Sequence, residues 1–199
     1  MSRVFVTGTD TGVGKTWVSA WLTKSWGAGY WKPVQSGTVE GWDADLVKSV
    51  APDAVIHPSR HALPEPLSPD QAAERVGVRI DLDDFELPAH DGPLVVEGAG
   101  GLLVPLNDLT LMADLMERLG LPLVLVARSG LGTINHSLLS IAEIRRRRLK
   151  LAGIILVGPD LPDNRDAIEH FGGVPVVAHL PPLPDVAALA AHPATRWRP

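Results

Sequence analysis

The chain has 199 residues, of which 45% are hydrophobic and 21% charged, the balance of an ordinary globular protein. It contains no cysteine, which excludes disulfides, cysteine-ligated zinc, iron–sulfur clusters and a thiol nucleophile. The formal net charge of -5 argues against a protein that grips nucleic acid or an anionic membrane through bulk charge. Because the sequence has neither a signal-peptide pattern nor a membrane-length apolar segment, we expect a cytoplasmic protein with one domain over residues 1–199.

Short apolar segments alternate with amphipathic ones along most of the chain. The predicted strands are 3–7, 29–34, 93–97, 122–127, 151–157 and 174–178. The predicted helices are 16–26, 68–76, 110–119, 134–148 and 163–171, and the remainder of 38–91 is interpreted as an irregular insertion. Runs of valine, leucine and isoleucine indicate strands buried on both faces. We therefore predict a three-layer α/β fold with a mostly parallel sheet flanked by helices.

A glycine-rich segment follows the first predicted strand. Residues 8–16 read GTDTGVGKT and lead into a predicted helix. In a P-loop, backbone N–H groups surround phosphate oxygens, a lysine contacts the β- and γ-phosphates, and a hydroxyl holds Mg²⁺. Lys15 and Thr16 occupy the last two positions, which predicts a fold of the P-loop NTPase type. The spacing is unusual, because the standard first glycine falls on Thr9 and Gly8 lies one residue earlier.

Two further polar motifs follow predicted strands. Lys32 stands in KPVQSG after the second strand, and Glu97 ends the third strand before a glycine-rich turn. The carboxyl ends of parallel strands meet at one edge of a sheet, which is where such folds bind ligands. There, a lysine can stabilise charge that develops in phosphoryl transfer, and a glutamate can ligate Mg²⁺.

The motifs GTDTGVGKT, KPVQSG, VEGAGGLLVPL and GTINH together resemble those of dethiobiotin synthetases, in the same order and over essentially the whole chain. The resemblance implies a ligase of biotin biosynthesis that uses ATP, Mg²⁺ and CO₂ to close a cyclic urea on 7,8-diaminononanoate. It implies a substrate carbamate, a carbamic–phosphoric anhydride and ring closure by the second amine. It also implies a homodimer with the substrate site at its interface, and no enzyme nucleophile.

The resemblance assigns site residues position by position. For catalysis it implies Lys32, Lys15 and Thr11. For the nucleotide it implies Gly12, Val13, Gly14, Lys15, Thr16, Trp17, Glu97, Gly98, Ala99, Gly100, Gly158, Pro181, Pro182 and Leu183. For the substrate it implies Ser36, together with Thr133 and Asn135 at a helix start that reaches the neighbouring subunit's substrate. For Mg²⁺ it implies Thr16, Glu97 and an acidic residue after the lysine motif, with Asp45 preferred over Asp43.

The sequence departs from the family pattern in three places. The stretch before Lys32 is several residues shorter than usual, and Gly12 stands where an acidic residue is common. Gly158 stands near the position where an asparagine often reads adenine. We therefore expect ATP to be used and other nucleoside triphosphates to substitute for it.

Three other nucleotide-dependent functions are alternatives to this interpretation. A nucleotide-switched partition or septum-positioning ATPase would carry a second signature lysine at the position of Asp10. A glutamine-dependent amide-forming relative would need a cysteine glutaminase, which the composition excludes. A small-molecule kinase stays open, because phosphate-binding motifs do not name the acceptor.

Overall fold

The computed structural model describes residues 2–199, in which short parallel strands alternate with helices. The strands are β1 (Arg3–Gly8), β2 (Gly29–Trp31), β3 (Val34–Ser36), β4 (Ile56–His57), β5 (His61–Leu63), β6 (Leu94–Gly101), β7 (Leu123–Arg128), β8 (Leu151–Val157) and β9 (Val176–Leu180). The helices are α1 (Lys15–Trp26), α2 (Asp43–Val50), α3 (Pro69–Arg75), α4 (Met112–Leu119), α5 (Thr133–Arg146), α6 (Pro162–Gly172) and α7 (Val186–Ala191). A single 3₁₀ turn (Leu82–Asp84) lies between α3 and β6.

Seven strands form one sheet in the order β4-β2-β6-β1-β7-β8-β9, with every neighbouring pair parallel. The strand β1, which leads into the glycine-rich loop, lies near the centre between β6 and β7. All seven carboxyl ends therefore open toward the same edge, which collects the loops that follow the strands. The prediction of a mostly parallel sheet is confirmed.

Helices cover both faces of the sheet. Alternate β1 residues point in opposite directions: Val4 and Val6 pack in the cluster that contains Trp21 of α1, whereas Phe5 packs with Met112 of α4. The helices α2 and α7 join α1 on the first face, and α5 and α6 pack over the far half of the second. The three-layer α/β prediction is thus confirmed. Within residues 2–199, no helix is both long and apolar enough to cross a membrane.

The region 38–91 is more ordered than the sequence predicted. It supplies α2, the edge strand β4, and β5, which pairs with β3 in a small separate sheet. These strands are only two or three residues long, so they produce no detectable alternation of polar and apolar residues. The helix α2 was missed for a related reason, because it buries only Val47 and Val50.

The segment after α7 packs back against α1. The indole N–H of Trp21 donates to the carbonyl of Pro193 at 2.8 Å, and that of Trp26 donates to the carbonyl of Trp197 at 2.9 Å. The rings of Trp26 and Trp197 also pack together. Trp21 and Trp26 of α1 therefore serve packing, and the end of the chain is tied to the helix that follows the P-loop.

Candidate active site

The glycine-rich loop wraps tightly between β1 and α1. Gly14, with φ 98°, lies in the left-handed region that favours glycine and leads directly into α1. Val13 is buried in the hydrophobic core and anchors the loop there. The ammonium of Lys15 folds back and donates to the carbonyl of Asp10 at 3.1 Å. The loop and the first turn of α1 thus present backbone N–H groups and a lysine at one point, the arrangement that binds phosphate.

Beside this loop lies a set of side chains that we call the charged end: Lys15, Thr16, Lys32, Asp43 and Glu97. Glu97 is completely buried and comes from β6, next to β1 in the sheet. The hydroxyl of Thr16 donates to Glu97 Oε1 at 2.9 Å, and Lys32 Nζ lies 3.3 Å from the same oxygen. Lys32 also pairs with the carboxylate of Asp43. A single buried carboxylate therefore joins the P-loop helix to the lysine that follows β2.

A tyrosine completes the hydrogen bonds of this carboxylate. The Tyr30 hydroxyl donates to Glu97 Oε2 at 3.0 Å. Its pKa is raised well above the usual range, because the hydroxyl is buried and faces the charge of Glu97. The hydroxyl therefore stays protonated and remains a donor, which fixes the orientation of Glu97.

The two lysines have opposite pKa shifts. Burial by itself would lower the pKa of Lys32, but the carboxylates of Glu97 and Asp43 outweigh it, and the pKa of Lys32 is raised. The pKa of Lys15 is lowered, mainly by burial; attraction to Glu97 offsets only part of this, and repulsion from Lys32 adds to it. The neighbouring carboxylates thus keep Lys32 positively charged. Lys15 has no carboxylate paired with it in the same way, as expected of a lysine that binds phosphate.

The acidic residue beside Lys32 is Asp43 rather than Asp45. Asp43 begins α2 and lines the cleft, and its backbone N–H donates to Gln35 Oε1 at 3.4 Å. Asp45 lies two positions further along the helix and is exposed, outside the charged end. Because successive helical residues point about 100° apart, only one of the two can face Lys32. The preference for Asp45 is therefore replaced by Asp43.

The oxygen donors of the charged end fit a hard divalent cation. Mg²⁺ takes oxygen ligands, commonly one or two carboxylates together with phosphate oxygens and water. The Glu97 carboxylate, the Thr16 hydroxyl and the Asp43 carboxylate supply such donors, and Thr16 is already within hydrogen-bond distance of Glu97. Within residues 2–199 no cluster of three His, Cys, Asp or Glu side chains suits a metal, so phosphate and water would complete the coordination.

The charged end lies in a cleft of about 840 Å³ that extends past the P-loop to a second, different wall. We call this wall the apolar end; it consists of Val157, Leu180, Pro181, Pro182 and Leu183. These residues end β8 and end or follow β9, on the opposite side of β1 from Lys32. The cleft is large enough for a nucleotide, with phosphates at one end and an apolar surface for a planar base at the other.

Gly158 lies at the end of β8, next to the apolar end. Its φ of +125° is one that side chains rarely adopt, and an added Cβ would lie 2.7 Å from the hydroxyl oxygen of Ser129. The Gly158 carbonyl is also within hydrogen-bond distance, 2.7 Å, of His179 Nε2. A side chain at this position would therefore be strained and would require the Ser129 hydroxyl to move, and Gly158 itself has no side-chain amide to read a base.

Comparison with known proteins agrees with this geometry. A family described as "AAA domain" matches residues 2–190. Over 188 residues the chain is 60% identical to the ATP-dependent dethiobiotin synthetase BioD of Paramagnetospirillum magneticum, covering 94% of this chain and 92% of that protein. The chain belongs to the dethiobiotin synthetase family. It is also 49% identical to the dethiobiotin synthetase BioD of Afipia carboxidovorans, over 92% of this chain and 88% of the relative.

A solved structure shares the fold at much lower identity. A ParA family ATPase from Chlorobium tepidum superposes with a TM-score of 0.52 at 15% identity, covering 96% of this chain and 90% of that chain. The likeness supports the predicted P-loop NTPase type of fold. It concerns the fold alone, and Asp10 stands here where partition ATPases carry their signature lysine.

Most residues predicted for a dethiobiotin synthetase site line this one cleft. Those that line it are Thr11, Gly12, Val13, Gly14, Lys15, Thr16, Trp17, Lys32, Ser36, Glu97, Ala99, Gly100, Pro181, Pro182 and Leu183. Those that do not are Asp45, Gly98, Thr133, Asn135 and Gly158. Gly98 instead packs against Phe5, whose ring would lie 2.7 Å from an added Cβ, so its role here is close packing. Thr133 and Asn135 begin α5, outside the cleft of their own chain.

Several lining residues were missed from the sequence. The cleft also includes Gln35, Leu46, Arg128 and the segment Pro66, Leu67, Ser68 and Pro69 before α3. Arg128 directly follows the predicted strand 122–127, and that position was the available signal. Tyr30 carried no signal, because a tyrosine inside a short buried strand looks like any other core aromatic.

Proposed function

We propose that this chain carries out the ATP-dependent closure of a cyclic urea on 7,8-diaminononanoate, with CO₂ as the carbon source and dethiobiotin as the product. The observation that carries the proposal is Lys32, a cation held by Glu97 and Asp43 directly beside the P-loop. The chain's place among the dethiobiotin synthetases supports dethiobiotin as the product. A lysine there can hold a carbamate against the terminal phosphate of ATP.

The chemistry asks the protein for position and charge rather than for a nucleophile. An amine of the substrate takes up CO₂, and the carbamate oxygen attacks the γ-phosphorus while ADP leaves. The second amine then attacks the carbamate carbon and expels phosphate, which closes the ring. The transferred group is negatively charged throughout, so catalysis would come from alignment and from cations placed where charge develops.

The residues of the cleft divide this work. Lys15 and the backbone of the P-loop would hold the β- and γ-phosphates. Lys32 would contact the carbamate and the γ-phosphate, and its raised pKa keeps it charged for that purpose. Thr11 would lie near the carbamate, and Ser36, which follows Lys32 in the same wall, would contact the substrate. Thr16, Glu97 and Asp43 would hold Mg²⁺, which when bound would neutralise charge on the phosphate oxygens.

The proposal is tested by the product. The purified protein is given ATP, Mg²⁺, bicarbonate and 7,8-diaminononanoate, and the mixture is analysed by mass for dethiobiotin. We expect dethiobiotin, ADP and phosphate in equal amounts. ATP consumption with a different phosphorylated acceptor, and no dethiobiotin, would instead support a small-molecule kinase and overturn the proposal.

We further propose that the active protein is a homodimer in which α5 of one subunit completes the cleft of the other. Thr133, which is buried, and Asn135, which is exposed, stand at the start of a helix of 14 residues and do not line their own cleft. Leu131, just before them, is fully exposed, and Leu139 on the same helix is 63% exposed. Backbone N–H groups at a helix start suit the substrate's carboxylate.

Mixing two inactive variants tests this arrangement. Lys32→Ala removes the lysine of a subunit's own cleft, and Asn135→Asp places a negative charge at the helix start that would serve the partner's cleft. Each variant alone should be nearly inactive. An equal mixture, unfolded and refolded together, should recover about a quarter of wild-type activity, because half of the dimers are mixed and each has one intact cleft. No recovery, or a monomer in solution, would contradict the shared site.

A further inference from the structure

Arg128 occupies a position in the cleft that the proposed reaction has not used. It ends β7, the strand between β1, which carries the P-loop, and β8, which leads to the apolar end. Within the sheet, Gly8 is level with Val126 and Arg128 is level with Val157. Val157 in turn packs against Gly14, since its Cγ1 lies 3.0 Å from an added Cβ there. Arg128 therefore lies at the carboxyl end of β7, level along the strand direction with the P-loop.

The alternation of β7 directs this side chain toward the nucleotide side of the sheet. Val126 packs in the core cluster that contains α1, whereas Ala127 packs in the opposite cluster with α5 and α6. Residues two apart in a strand share a face, so Arg128 points to the α1 side, beyond the end of the strand. Arg128 is one of the residues that line the cleft.

The guanidinium is free to meet a ligand. Arg128 is exposed, and within residues 2–199 no carboxylate lies within ion-pair distance of it. By contrast, Arg147, at the end of α5 on the other face of the sheet, is held by Glu143 and by Asp114 of α4. A planar guanidinium binds phosphate oxygens with paired N–H donors, and it cannot lose its charge near neutral pH.

We propose that Arg128 binds a phosphate of the nucleotide, on the side of the P-loop that faces the base. This rests on the proposed function, in which ATP lies along the cleft with its terminal phosphate at the charged end. Lys15 and Lys32 approach the phosphates from the P-loop and from β2, and Arg128 approaches from the opposite side of β1. On that side of the cleft, Val157 and the prolines of the apolar end offer no charge to a phosphate.

This assignment also accounts for binding without a base-reading side chain. Gly158 supplies no amide to hold adenine, so affinity must come largely from the phosphates and from apolar contact with the base. A third cation in the cleft strengthens the phosphate contribution and does so equally for every nucleotide. Arg128 would therefore support nucleotide affinity without adding base selectivity.

The test compares two ligands and three variants by calorimetry in the presence of Mg²⁺. The ligands are ADP and inorganic tripolyphosphate, which has phosphates but no base or ribose. The variants are Arg128→Ala, Arg128→Lys and, as a matched control, Arg198→Ala, which changes an exposed arginine near the chain end. Loss of one charged contact should weaken both ligands by about tenfold or more in Arg128→Ala, and less in Arg128→Lys, with Arg198→Ala unchanged. Equal thermal unfolding temperatures would show that the variants are folded.

Two results would overturn the proposal. If Arg128→Ala binds both ligands within twofold of wild type, the guanidinium does not contact the nucleotide. If it weakens ADP but leaves tripolyphosphate unchanged, the contact is to ribose or base and the assignment to phosphate is wrong. Failure of the wild-type protein to bind ADP or to use ATP would be a different result, because it would count against the proposed function itself.

Discussion

The charged end and the apolar end of the cleft hold their residues in different ways. At the charged end, Glu97 is fully buried and receives hydrogen bonds from Thr16, Tyr30 and Lys32, so side chains from three separate elements fix one another. At the apolar end, the surface is formed by Val157 and the segment Leu180 to Leu183, and the adjacent Gly158 has a backbone conformation that side chains rarely adopt. Charged side chains define one end, whereas apolar side chains and the backbone at Gly158 define the other.

This difference suggests which part of the nucleotide the protein distinguishes. A buried set of charged side chains is specific for phosphate and metal. A ligand that left any of these buried groups without a hydrogen-bond partner would lose binding free energy. An apolar wall accepts any planar ring at similar cost. The charged end should therefore be intolerant of amino-acid substitution. The apolar end should tolerate different bases, and its structure should depend mainly on backbone conformation.

The largest effect should come from breaking the charged end at Lys32. In Lys32→Ala, the cation beside the γ-phosphate is lost, and we expect dethiobiotin formation to fall by about 10³-fold or more. Lys48→Ala, at an exposed lysine of α2, should retain wild-type activity. Circular dichroism should show both variants folded. Near-normal turnover in Lys32→Ala would remove this lysine from the mechanism.

A smaller effect should separate the two aspartates of α2. Asp43 pairs with Lys32 and lines the cleft, whereas Asp45 is exposed. Asp43→Asn should lower activity by about 10- to 100-fold and raise the Mg²⁺ concentration needed for half-maximal rate, since a charged hydrogen-bond partner and a metal donor are lost. Asp45→Asn should behave as wild type in both measurements. The reverse pattern would restore the assignment made from the sequence.

The smallest effect should appear at the base end, and in stability before activity. Gly158→Ala forces a side chain into a left-handed conformation and against Ser129, which should cost about 1–3 kcal/mol of unfolding free energy. Gly130→Ala is the matched control, because an added Cβ there meets nothing within 4 Å. Denaturant unfolding of both variants measures the difference. Equal stability would mean that this backbone can accommodate a side chain, such as an asparagine, after all.

The sequence predicted best what depends on local pattern. Lys15, Thr16 and Glu97 all line the cleft, as predicted from their positions after or near the end of a predicted strand, because the carboxyl ends of parallel strands share an edge. The two faces of the sheet followed from continuous apolar runs such as β7 and β8. These features are set within a few residues along the chain, so no tertiary information is needed.

What the sequence missed depends on how elements meet. The helix α2 was not predicted, so its rotation, which turns Asp43 rather than Asp45 toward Lys32, was out of reach. The hydrogen bond of Tyr30 to Glu97 joins two strands 67 residues apart, and no local pattern distinguishes it from core packing. The absence of an asparagine at Gly158 was visible in the sequence, but the closeness of this position to Ser129 appears only in three dimensions.

The most direct test of the account is the choice of nucleotide. Dethiobiotin formation is measured by mass with ATP, GTP, CTP or UTP as the only triphosphate, and kcat/KM is determined for each. Because the base end has no side chain that reads a base, we expect product from all four and an ATP preference below about 100-fold. A preference of about 10⁴-fold or more is typical of a site that hydrogen-bonds its substrate specifically, and it would contradict the account.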